Sequence, residues 1–208
     1  MRKKKFYFIV FEGVEGTGKS YQINKLYKNL KNKKFEVIKT REPGGSQTAE
    51  KIRNLIFSKT SNKFDKLTDF YLMCAARNEH VKKKLLIAKK KKQVVICDRF
   101  TDSTYAYQVI GNKISNKLNV INQEHILNGL KPNLTIVLKS DFKTIFSRIK
   151  KRKKNNKFDK LKIDFYSKAQ KAYLKKANIN NNYYIFDSSK NTPDLEKKIF
   201  QLIVRKLK

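Results

Sequence analysis

Residues 13–20 read GVEGTGKS, and they follow an apolar run, FYFIVF, at residues 6–11. The octapeptide fits the pattern G-x-x-x-x-G-K-[ST] at every fixed position. This pattern is informative only between a strand and a helix, and both are predicted here. The apolar run is typical of a strand buried on both faces, and apolar residues recur at helical spacing from residue 23 to residue 30. The stretch therefore predicts a phosphate-binding loop, which we call the P-loop.

The P-loop residues suit a triphosphate for distinct chemical reasons. The glycines let the backbone curl so that successive N–H groups point at phosphate oxygens, assisted by the amino end of the next helix. Lys19 supplies a positive charge for the β and γ phosphates, and the Ser20 hydroxyl can bind Mg²⁺. Glu15 is expected to face a neutral group such as a sugar hydroxyl, because a carboxylate repels phosphate. The predicted nucleotide-binding residues are Gly13, Val14, Glu15, Gly16, Thr17, Gly18, Lys19 and Ser20.

Strand and helix patterns alternate along the rest of the chain. Apolar runs predict four further strands, at residues 35–40, 93–98, 134–139 and 182–187. Helices are predicted at residues 49–56, 66–90, 115–130, 141–153, 160–177 and 193–207. This alternation indicates an α/β protein with a three-layer fold of the P-loop NTPase type. Its five-stranded parallel sheet is expected to carry helices on both faces and a short lid.

In such sheets ligands bind at the carboxyl ends of the strands. The site is therefore expected within residues 12–20, 41–45, 98–108 and 187–189. At the end of the third strand, Asp98 can hold Mg²⁺ through water, and the guanidinium of Arg99 suits phosphate. Three more arginines are predicted near this edge, and each is equally consistent with an ordinary surface ion pair. They are Arg41, Arg53 and Arg77.

Length and composition predict one folded domain spanning residues 1–208, with 39% hydrophobic residues to build its core. The net charge of +33 comes from 42 lysines and eight arginines against 17 acidic residues. Such a charge fits a polyanionic partner, and it also fits the Lys, Asn and Ile usage of an AT-rich genome. The lysines are spread over the whole chain, which favours the second interpretation. A nucleic-acid partner is therefore not expected.

The sequence also predicts the compartment and the absence of some site classes. Cys74 and Cys97 lack partners at metal-ligand spacing, so we expect neither a zinc site nor a disulfide. His80 and His125 are isolated in sequence and are expected to be surface or packing residues. No window approaches the ~18 apolar residues of a membrane span, and Glu12 breaks the only run that resembles a signal peptide. A cytoplasmic protein without a membrane partner is expected.

Five segments together resemble the thymidylate kinase family, in order and across nearly the whole chain. They are FEGVEGTGKS, TREPGGSQTAEKIR, the AAR of residues 75–77, DRFTDSTYAYQ of residues 98–108 and KPNLTIVL of residues 131–138. The resemblance implies a kinase that transfers the γ-phosphate of ATP to dTMP with Mg²⁺, in dTTP biosynthesis. It also implies a homodimer whose small-molecule substrates are dTMP and ATP.

The resemblance assigns roles on the phosphate side of the site. Lys19 and the P-loop would hold the ATP phosphates, and Glu15 would contact the sugar hydroxyl of dTMP. Arg99 would bind the dTMP phosphate together with Arg41 or Arg53. Lys19 and Arg99 are therefore among the expected catalytic residues.

The resemblance also assigns roles around the nucleoside. Arg77 would read the thymine edge with the help of Ser103 and Gln108. Tyr107 would lie under the deoxyribose and exclude a ribose 2′-hydroxyl by steric contact. Met73 stands where the family commonly has a phenylalanine stacked on thymine. A methionine covers a base face without ring stacking, so lower dTMP affinity is expected.

The P-loop has Gly16 where some family members carry an arginine, and such loops resemble the bacterial type. In that type the arginines of a closing lid supply positive charge to the transferred phosphoryl group. The lid is expected at residues 149–160, with Arg148 and Arg152 as its catalytic arginines. Lys157-Phe-Asp159 replaces the usual arginine, apolar residue and glutamate, and lysine lacks the planar fork of arginine.

Two other functions remain compatible with a P-loop and a basic surface. One is a kinase of the same fold that acts on another nucleotide or on a deoxynucleoside. The other is a basic P-loop ATPase that binds nucleic acid. The chain has no nucleic-acid-binding motif beyond its charge, which favours a kinase.

Overall fold

The computed structural model describes residues 5–58, 64–151, 157–190 and 192–207. Its centre is one sheet of five parallel strands in the order β2-β3-β1-β4-β5. The P-loop follows the central strand, in which all six residues are buried. The strands are β1 (Tyr7–Glu12), β2 (Val37–Arg41), β3 (Val94–Asp98), β4 (Leu134–Lys139) and β5 (Tyr183–Asp187). The predicted parallel sheet is confirmed, with strand bounds shifted by at most two residues.

Helices connect the strands and cover both faces of the sheet. In chain order they are α1 (Lys19–Asn32), α2 (Gln47–Ile56), α3 (Lys66–His80), α4 (Leu86–Lys90), α5 (Thr101–Thr104), α6 (Asn116–Leu127), α7 (Phe142–Lys150), α8 (Ile163–Asn178) and α9 (Pro193–Leu207). A π-helical turn, Val81–Leu85, joins α3 to α4, so the single helix predicted over residues 66–90 is continuous but not regular. A second π-helical stretch, Tyr105–Gly111, continues α5. The sequence pattern did not predict a helix at residues 101–111.

The core lies in two layers, one on each face of the sheet. Alternate residues of β1 point to opposite faces, because side chains alternate along a strand. Ile9 and Phe11 pack with apolar residues of α1 and α9. Phe8 and Val10 pack on the other face with the turn Val81–Leu85, α4 and Phe100. A neighbouring cluster joins Val14 of the P-loop to α7 and α8. The predicted three-layer arrangement is therefore confirmed.

The ends of the expected lid are described, and its middle is not. Helix α7 ends at Lys150, and a 3₁₀ turn occupies Lys157–Lys160 before α8 begins. Arg152 lies outside the described residues. Among the described residues, no helix is long and apolar enough to cross a membrane. Cys74 and Cys97 are buried free thiols.

Candidate active site

The P-loop curls tightly around the start of α1. Gly13, Gly16 and Gly18 have φ angles of +139°, +78° and +81°, which side-chain-bearing residues rarely adopt. A Cβ atom on Gly13 would lie 2.3 Å from the Leu138 carbonyl oxygen of β4. Gly18 is the N-cap of the 14-residue helix α1. The loop therefore directs backbone N–H groups and the positive end of a helix dipole towards one point, which suits phosphate.

Lys19 is held inside this loop. Its ammonium donates to the carbonyl oxygens of Gly13 and Val14 at 2.8 and 2.9 Å. The residue is only 7% exposed, and burial, with the nearby charge of Arg99, lowers the pKa of Lys19 to about 8. An anion that entered the loop would stabilise the charged form, because it would supply the counter-charge that burial withholds.

Ser20 and Asp98 form an oxygen pair beside the P-loop. The Ser20 hydroxyl donates to Asp98 Oδ2 at 3.1 Å, although the two residues are 78 positions apart. Asp98 Oδ1 is buried and has no hydrogen-bond partner among the described residues. A hydroxyl and a carboxylate are ligands that Mg²⁺ prefers, and an unpartnered buried carboxylate oxygen favours a cation or a bound water. These two residues therefore fit the predicted Mg²⁺ site.

A cavity that is open to solvent adjoins the P-loop. The wall includes Glu15 of the P-loop and Asp98 at the end of β3. The cavity is lined by every residue that the sequence predicts to bind the substrate: Glu15, Arg41, Arg53, Met73, Arg77, Arg99, Ser103, Tyr107 and Gln108. Four of the eight arginines thus meet at one cavity in a chain where lysine is five times more frequent.

Arg99 lies at the centre of a buried polar cluster. Its guanidinium donates to Glu15 Oε1 at 2.7 Å, to the Tyr173 hydroxyl at 3.0 Å and to the Ser103 hydroxyl at 3.1 Å. The Tyr107 hydroxyl donates to the other oxygen of Glu15. Burial raises the pKa of the Glu15 carboxyl, but the charges of Arg99 and Lys19 outweigh burial and hold this pKa below its ordinary value. Glu15 is therefore a carboxylate that orients Arg99 and Tyr107.

Arg77 is fixed by three hydrogen bonds and still lines the cavity. Its Nε donates to Glu42 Oε2 at 2.7 Å, and its terminal nitrogens donate to Thr104 Oγ1 at 2.9 Å and to the Phe100 carbonyl at 3.0 Å. The guanidinium also lies over the Phe100 ring, 5.4 Å from its centroid. A guanidinium carries five N–H groups, so these bonds leave donor capacity for a ligand oxygen in the cavity.

Arg41 and Arg53 flank the turn that follows β2. Arg41 donates to Glu50 Oε2 at 2.9 Å, and Arg53 donates to the Pro43 carbonyl at 2.7 Å. The Arg53 guanidinium lies over the Phe57 ring at 4.6 Å. Both arginines therefore have structural partners as well as a place on the cavity wall. The ion pair that the sequence left open is present for Arg41.

Arg148 connects the last turn of α7 to the P-loop. Its guanidinium donates to the Gly16 carbonyl at 3.2 Å and to the carbonyls of Ser188 and Ser189 at 2.9 and 3.1 Å. The segment that follows β5 is thus joined to the P-loop, as expected for residues 187–189 at the carboxyl edge of the sheet. Arg152, its predicted lid partner, is outside the described residues.

Several cavity residues were not predicted from the sequence. Glu42 lies within the quoted TREPGG segment, and its acidic side chain was a signal that could have been used. Phe57 and Phe158 carry no such signal, since each is one of 14 phenylalanines. The Phe158 ring packs edge-on against Phe57 at 5.8 Å and against Tyr107 at 5.3 Å. The 3₁₀ turn Lys157–Lys160 therefore places an aromatic ring between Phe57 and Tyr107, two residues of the cavity wall.

Comparisons with known proteins agree on one family. A family model described as thymidylate kinase matches residues 11–199. A thymidylate kinase of Hahella chejuensis is 33% identical over 98% of this chain and 99% of its own length. A thymidylate kinase of Caldicellulosiruptor saccharolyticus is 42% identical over 80% of each chain. The crystal structure of thymidylate kinase from Ehrlichia chaffeensis superposes with a TM-score of 0.77 and 27% identity, covering 98% of this chain and 100% of that one.

Proposed function

The chain belongs to the thymidylate kinase family and is a transferase that phosphorylates dTMP, and we propose that it does so across the boundary between the P-loop and the adjacent cavity. ATP is the phosphoryl donor, Mg²⁺ is the cofactor, and dTDP is the product. The observation that carries the proposed site is that nine residues from five separate segments line one cavity beside a complete phosphate-binding loop. Residues 1–208 are proposed to form a single nucleoside monophosphate kinase domain.

On the donor side, the P-loop binds the ATP phosphates through its backbone N–H groups and the start of α1. Lys19 keeps its proton when the phosphates enter, and it binds oxygens of the β and γ phosphates. Ser20 and Asp98 would hold Mg²⁺, Ser20 through its hydroxyl and Asp98 through a water molecule. Bound Mg²⁺ supplies positive charge that offsets the charge of the phosphate oxygens.

On the acceptor side, Arg99 binds the phosphate of dTMP together with Arg41 or Arg53. Glu15 and the Tyr173 hydroxyl support this role, because their hydrogen bonds fix the Arg99 guanidinium beside the P-loop. Arg99 also has a φ angle of +71°, a strained conformation of the kind found at functional sites. In the reaction, an oxygen of the dTMP phosphate bonds to the γ phosphorus of ATP as the bond to ADP breaks.

The thymidine part of dTMP is proposed to lie deeper in the same cavity. Arg77, Ser103 and Gln108 read the edge of the base, and Met73 covers its face. Gln108 supports this assignment, because its Nε2 is buried with no hydrogen-bond partner among the described residues. Tyr107 lies under the deoxyribose, where Glu15 fixes its hydroxyl. Glu15 then contacts the sugar hydroxyl of dTMP with its remaining acceptor capacity.

The lid of residues 149–160 is proposed to close over the phosphates. Arg148 and Arg152 place positive charge beside the phosphoryl group as it is transferred from an oxygen of ADP to an oxygen of dTMP. The contact of Arg148 with the Gly16 carbonyl supports this, because it places the guanidinium against the P-loop. The Phe158 ring of the lid then covers the nucleoside side of the cavity.

A homodimer is proposed to form through α2, α3 and α6. Helix α3 packs against both of the others, so their outer surfaces are neighbours. The exposed apolar side chains on these helices, each between 41% and 46% accessible, are Leu55, Leu67, Tyr71, Val120 and Ile121. Exposed apolar side chains on neighbouring helices are consistent with an interface. A cytoplasmic location is also proposed, and the two buried free thiols are compatible with a reducing compartment.

A panel of phosphoryl acceptors tests the proposed substrate. Steady-state rates with Mg²⁺-ATP are measured for dTMP, dUMP, UMP, dGMP and thymidine, with Lys19→Ala as the inactive control. The proposal predicts the highest kcat/KM for dTMP and no effect of added DNA on the rate. A preference for another acceptor would identify a kinase of different specificity. DNA-stimulated hydrolysis with a steep salt dependence would instead identify a nucleic-acid-binding ATPase.

A further inference from the structure

His80 is a buried histidine whose two ring nitrogens both have hydrogen-bond partners. Nδ1 lies 2.8 Å from Glu42 Oε1, and Nε2 lies 2.7 Å from the Thr40 hydroxyl. The residue is fully inaccessible to solvent. It does not line the substrate cavity, so the sequence-based view of His80 as a packing residue accounts for its burial but not for its two polar bonds.

Glu42 connects His80 to Arg77. Arg77 and His80 lie three positions apart on α3, so their side chains emerge on the same face of the helix. One carboxylate oxygen of Glu42 accepts from Arg77 Nε at 2.7 Å, and the other contacts His80. Burial alone raises the pKa of the Glu42 carboxyl, but the charge of Arg77 and the bond from His80 hold this pKa below its ordinary value. The carboxylate is therefore an acceptor for both residues, and Nδ1 of His80 carries the proton in their shared bond.

The backbone around Glu42 leaves the His80 ring little freedom. Glu42 N–H donates to the Asp98 carbonyl at 2.9 Å, which fixes the turn to the end of β3. Gly45, at a φ of +92°, lies directly against the ring, because a Cβ atom there would be 2.6 Å from His80 Cδ2. The same Cβ would be 2.3 Å from the Thr40 hydroxyl. The His80 ring, the turn after β2 and Thr40 of β2 are thus packed at contact distance.

We propose that His80 is a positioning residue for recognition of the acceptor base: it fixes the Glu42 carboxylate, which in turn fixes the guanidinium of Arg77 at the cavity wall. The proposal rests on the proposed role of Arg77 in reading the base edge. A carboxylate with only one oxygen bound can rotate about its last side-chain bond, and the Arg77 guanidinium would tilt with it. Two bound oxygens remove that rotation.

The orientation of Arg77 matters because thymine and cytosine present different groups at C4 of the base edge, next to an N3 that is protonated only in thymine. A carbonyl oxygen at C4 accepts a hydrogen bond, whereas the amino group of cytosine at C4 donates one. A correctly aimed guanidinium has only donors, so it favours the carbonyl and leaves the amino group unpaired. A tilted guanidinium loses this distinction. The expected signature of His80 is therefore a change in acceptor selectivity.

The test compares His80→Leu and His80→Asn with the wild-type enzyme. Leucine removes both polar bonds, and the asparagine amide can donate to Glu42 in place of Nδ1. His125→Leu is the matched control, because His125 is the other histidine and is exposed on α6. KM for dTMP, KM for ATP, kcat and the ratio of kcat/KM for dTMP over dCMP are measured for each enzyme.

His80→Leu is expected to raise KM for dTMP about tenfold, the loss typical of one hydrogen bond to a charged group. The dTMP over dCMP ratio should fall by a similar factor, while KM for ATP stays within about twofold of wild type. His80→Asn should recover most of both losses, and His125→Leu should show neither. Glu42→Gln combined with His80→Leu should cost less than the product of the two single effects, because both act through one carboxylate.

Two results would overturn the proposal. One is a folded His80→Leu enzyme with unchanged KM for dTMP and unchanged selectivity. The other is a similar rise in both KM values without rescue by asparagine, which would mean a purely structural role. If His80→Leu does not fold, His80→Asn and Glu42→Gln are compared instead. Loss of dTMP over dCMP selectivity in Glu42→Gln, together with its retention in His80→Asn, would support the positioning of Arg77 by His80 through Glu42. Any other pattern would reject that positioning role. A wild-type enzyme that does not phosphorylate dTMP would reject the proposed function itself. If Arg77→Lys lost selectivity while the His80 variants kept it, only the positioning role of His80 would be rejected.

Discussion

Replacing Lys19 with methionine should abolish activity and at the same time stabilise the fold near neutral pH. The ammonium of Lys19 is buried, and its pKa in the folded chain is about 8, against 10.5 for an unperturbed lysine. The folded protein therefore holds the proton less tightly than the unfolded chain does. Keeping this group charged costs free energy of folding, and the cost is complete below pH 8 and disappears as the pH approaches 10.5.

The structure sets the expected size of the effect. The difference between the two pKa values corresponds to roughly 3 kcal/mol of destabilisation at pH 7. Methionine removes this cost, but it also removes the hydrogen bonds to the Gly13 and Val14 carbonyls, each worth about 1 kcal/mol. A net gain on the order of 1 kcal/mol is therefore expected for Lys19→Met at pH 7. At pH 9.5 the free energy of unfolding of the variant relative to wild type should be roughly 2 kcal/mol lower than at pH 7, because most of the cost of the buried ammonium in the wild type has gone.

Urea unfolding at pH 7 and pH 9.5, with phosphoryl-transfer assays on the same samples, measures both effects. Lys28→Met is the matched control, since Lys28 is exposed on the same helix, α1. The control should keep its activity and should not show the gain in stability at pH 7, because Lys28 is exposed. The reasoning would be refuted if Lys19→Met were less stable than wild type at pH 7 and the difference in stability did not depend on pH. The buried ammonium would then stabilise the folded P-loop instead of destabilising it.

Five further substitutions test individual residues of the site. Asp98→Asn should raise the Mg²⁺ concentration needed for half-maximal rate, and a Mg²⁺ titration that matches wild type would remove Asp98 from the metal site. Arg148→Ala and Arg152→Ala should each lower kcat by on the order of 10³ with a smaller change in ATP binding; full kcat in both would reject the lid assignment. Tyr107→Ala should let ribonucleotides compete better with dTMP, and unchanged discrimination would exclude Tyr107 from sugar selection. Met73→Phe should lower KM for dTMP by several fold through ring stacking, and an unchanged or higher KM would show that Met73 does not cover the base.

The sheet and the cavity were predictable because each depends on local patterns and one topological rule. The strand after which the P-loop begins is apolar at every position from 6 to 11, as a central parallel strand must be. Once five such strands are parallel, their carboxyl ends converge, and residues as distant as Glu15 and Gln108 reach one cavity. No contact had to be known for this prediction.

The helix at residues 101–111 was not predictable from its own sequence. Its first residues, Thr101 to Thr104, have modest helix propensity, and no side chain caps it from the preceding loop. The start of the helix is instead stabilised by Glu12 of β1, which accepts hydrogen bonds from Phe100 N–H at 2.8 Å and Ser103 N–H at 3.3 Å. An acceptor supplied 88 residues earlier in the chain leaves no local signal.

The hydrogen-bond partners within the site could not be predicted from the sequence either. Glu15 carries a charge that disfavours phosphate, and this suggested a neutral partner, yet its carboxylate accepts from Arg99 and Tyr107. The link between Glu42 and His80 spans 38 positions and depends on the packing of α3 against the turn after β2. Such contacts follow from tertiary structure, because residue type and spacing do not specify which polar groups meet.

A crystal structure with dTMP and a non-hydrolysable ATP analogue tests the central claim most directly. We expect the triphosphate on the backbone N–H groups of residues 13–20, and the dTMP phosphate within hydrogen-bond distance of Arg99. The base should lie beside Arg77 in the same cavity. Both ligands bound at saturating concentration anywhere else, or a cavity that stays empty while the P-loop is filled, would contradict the account.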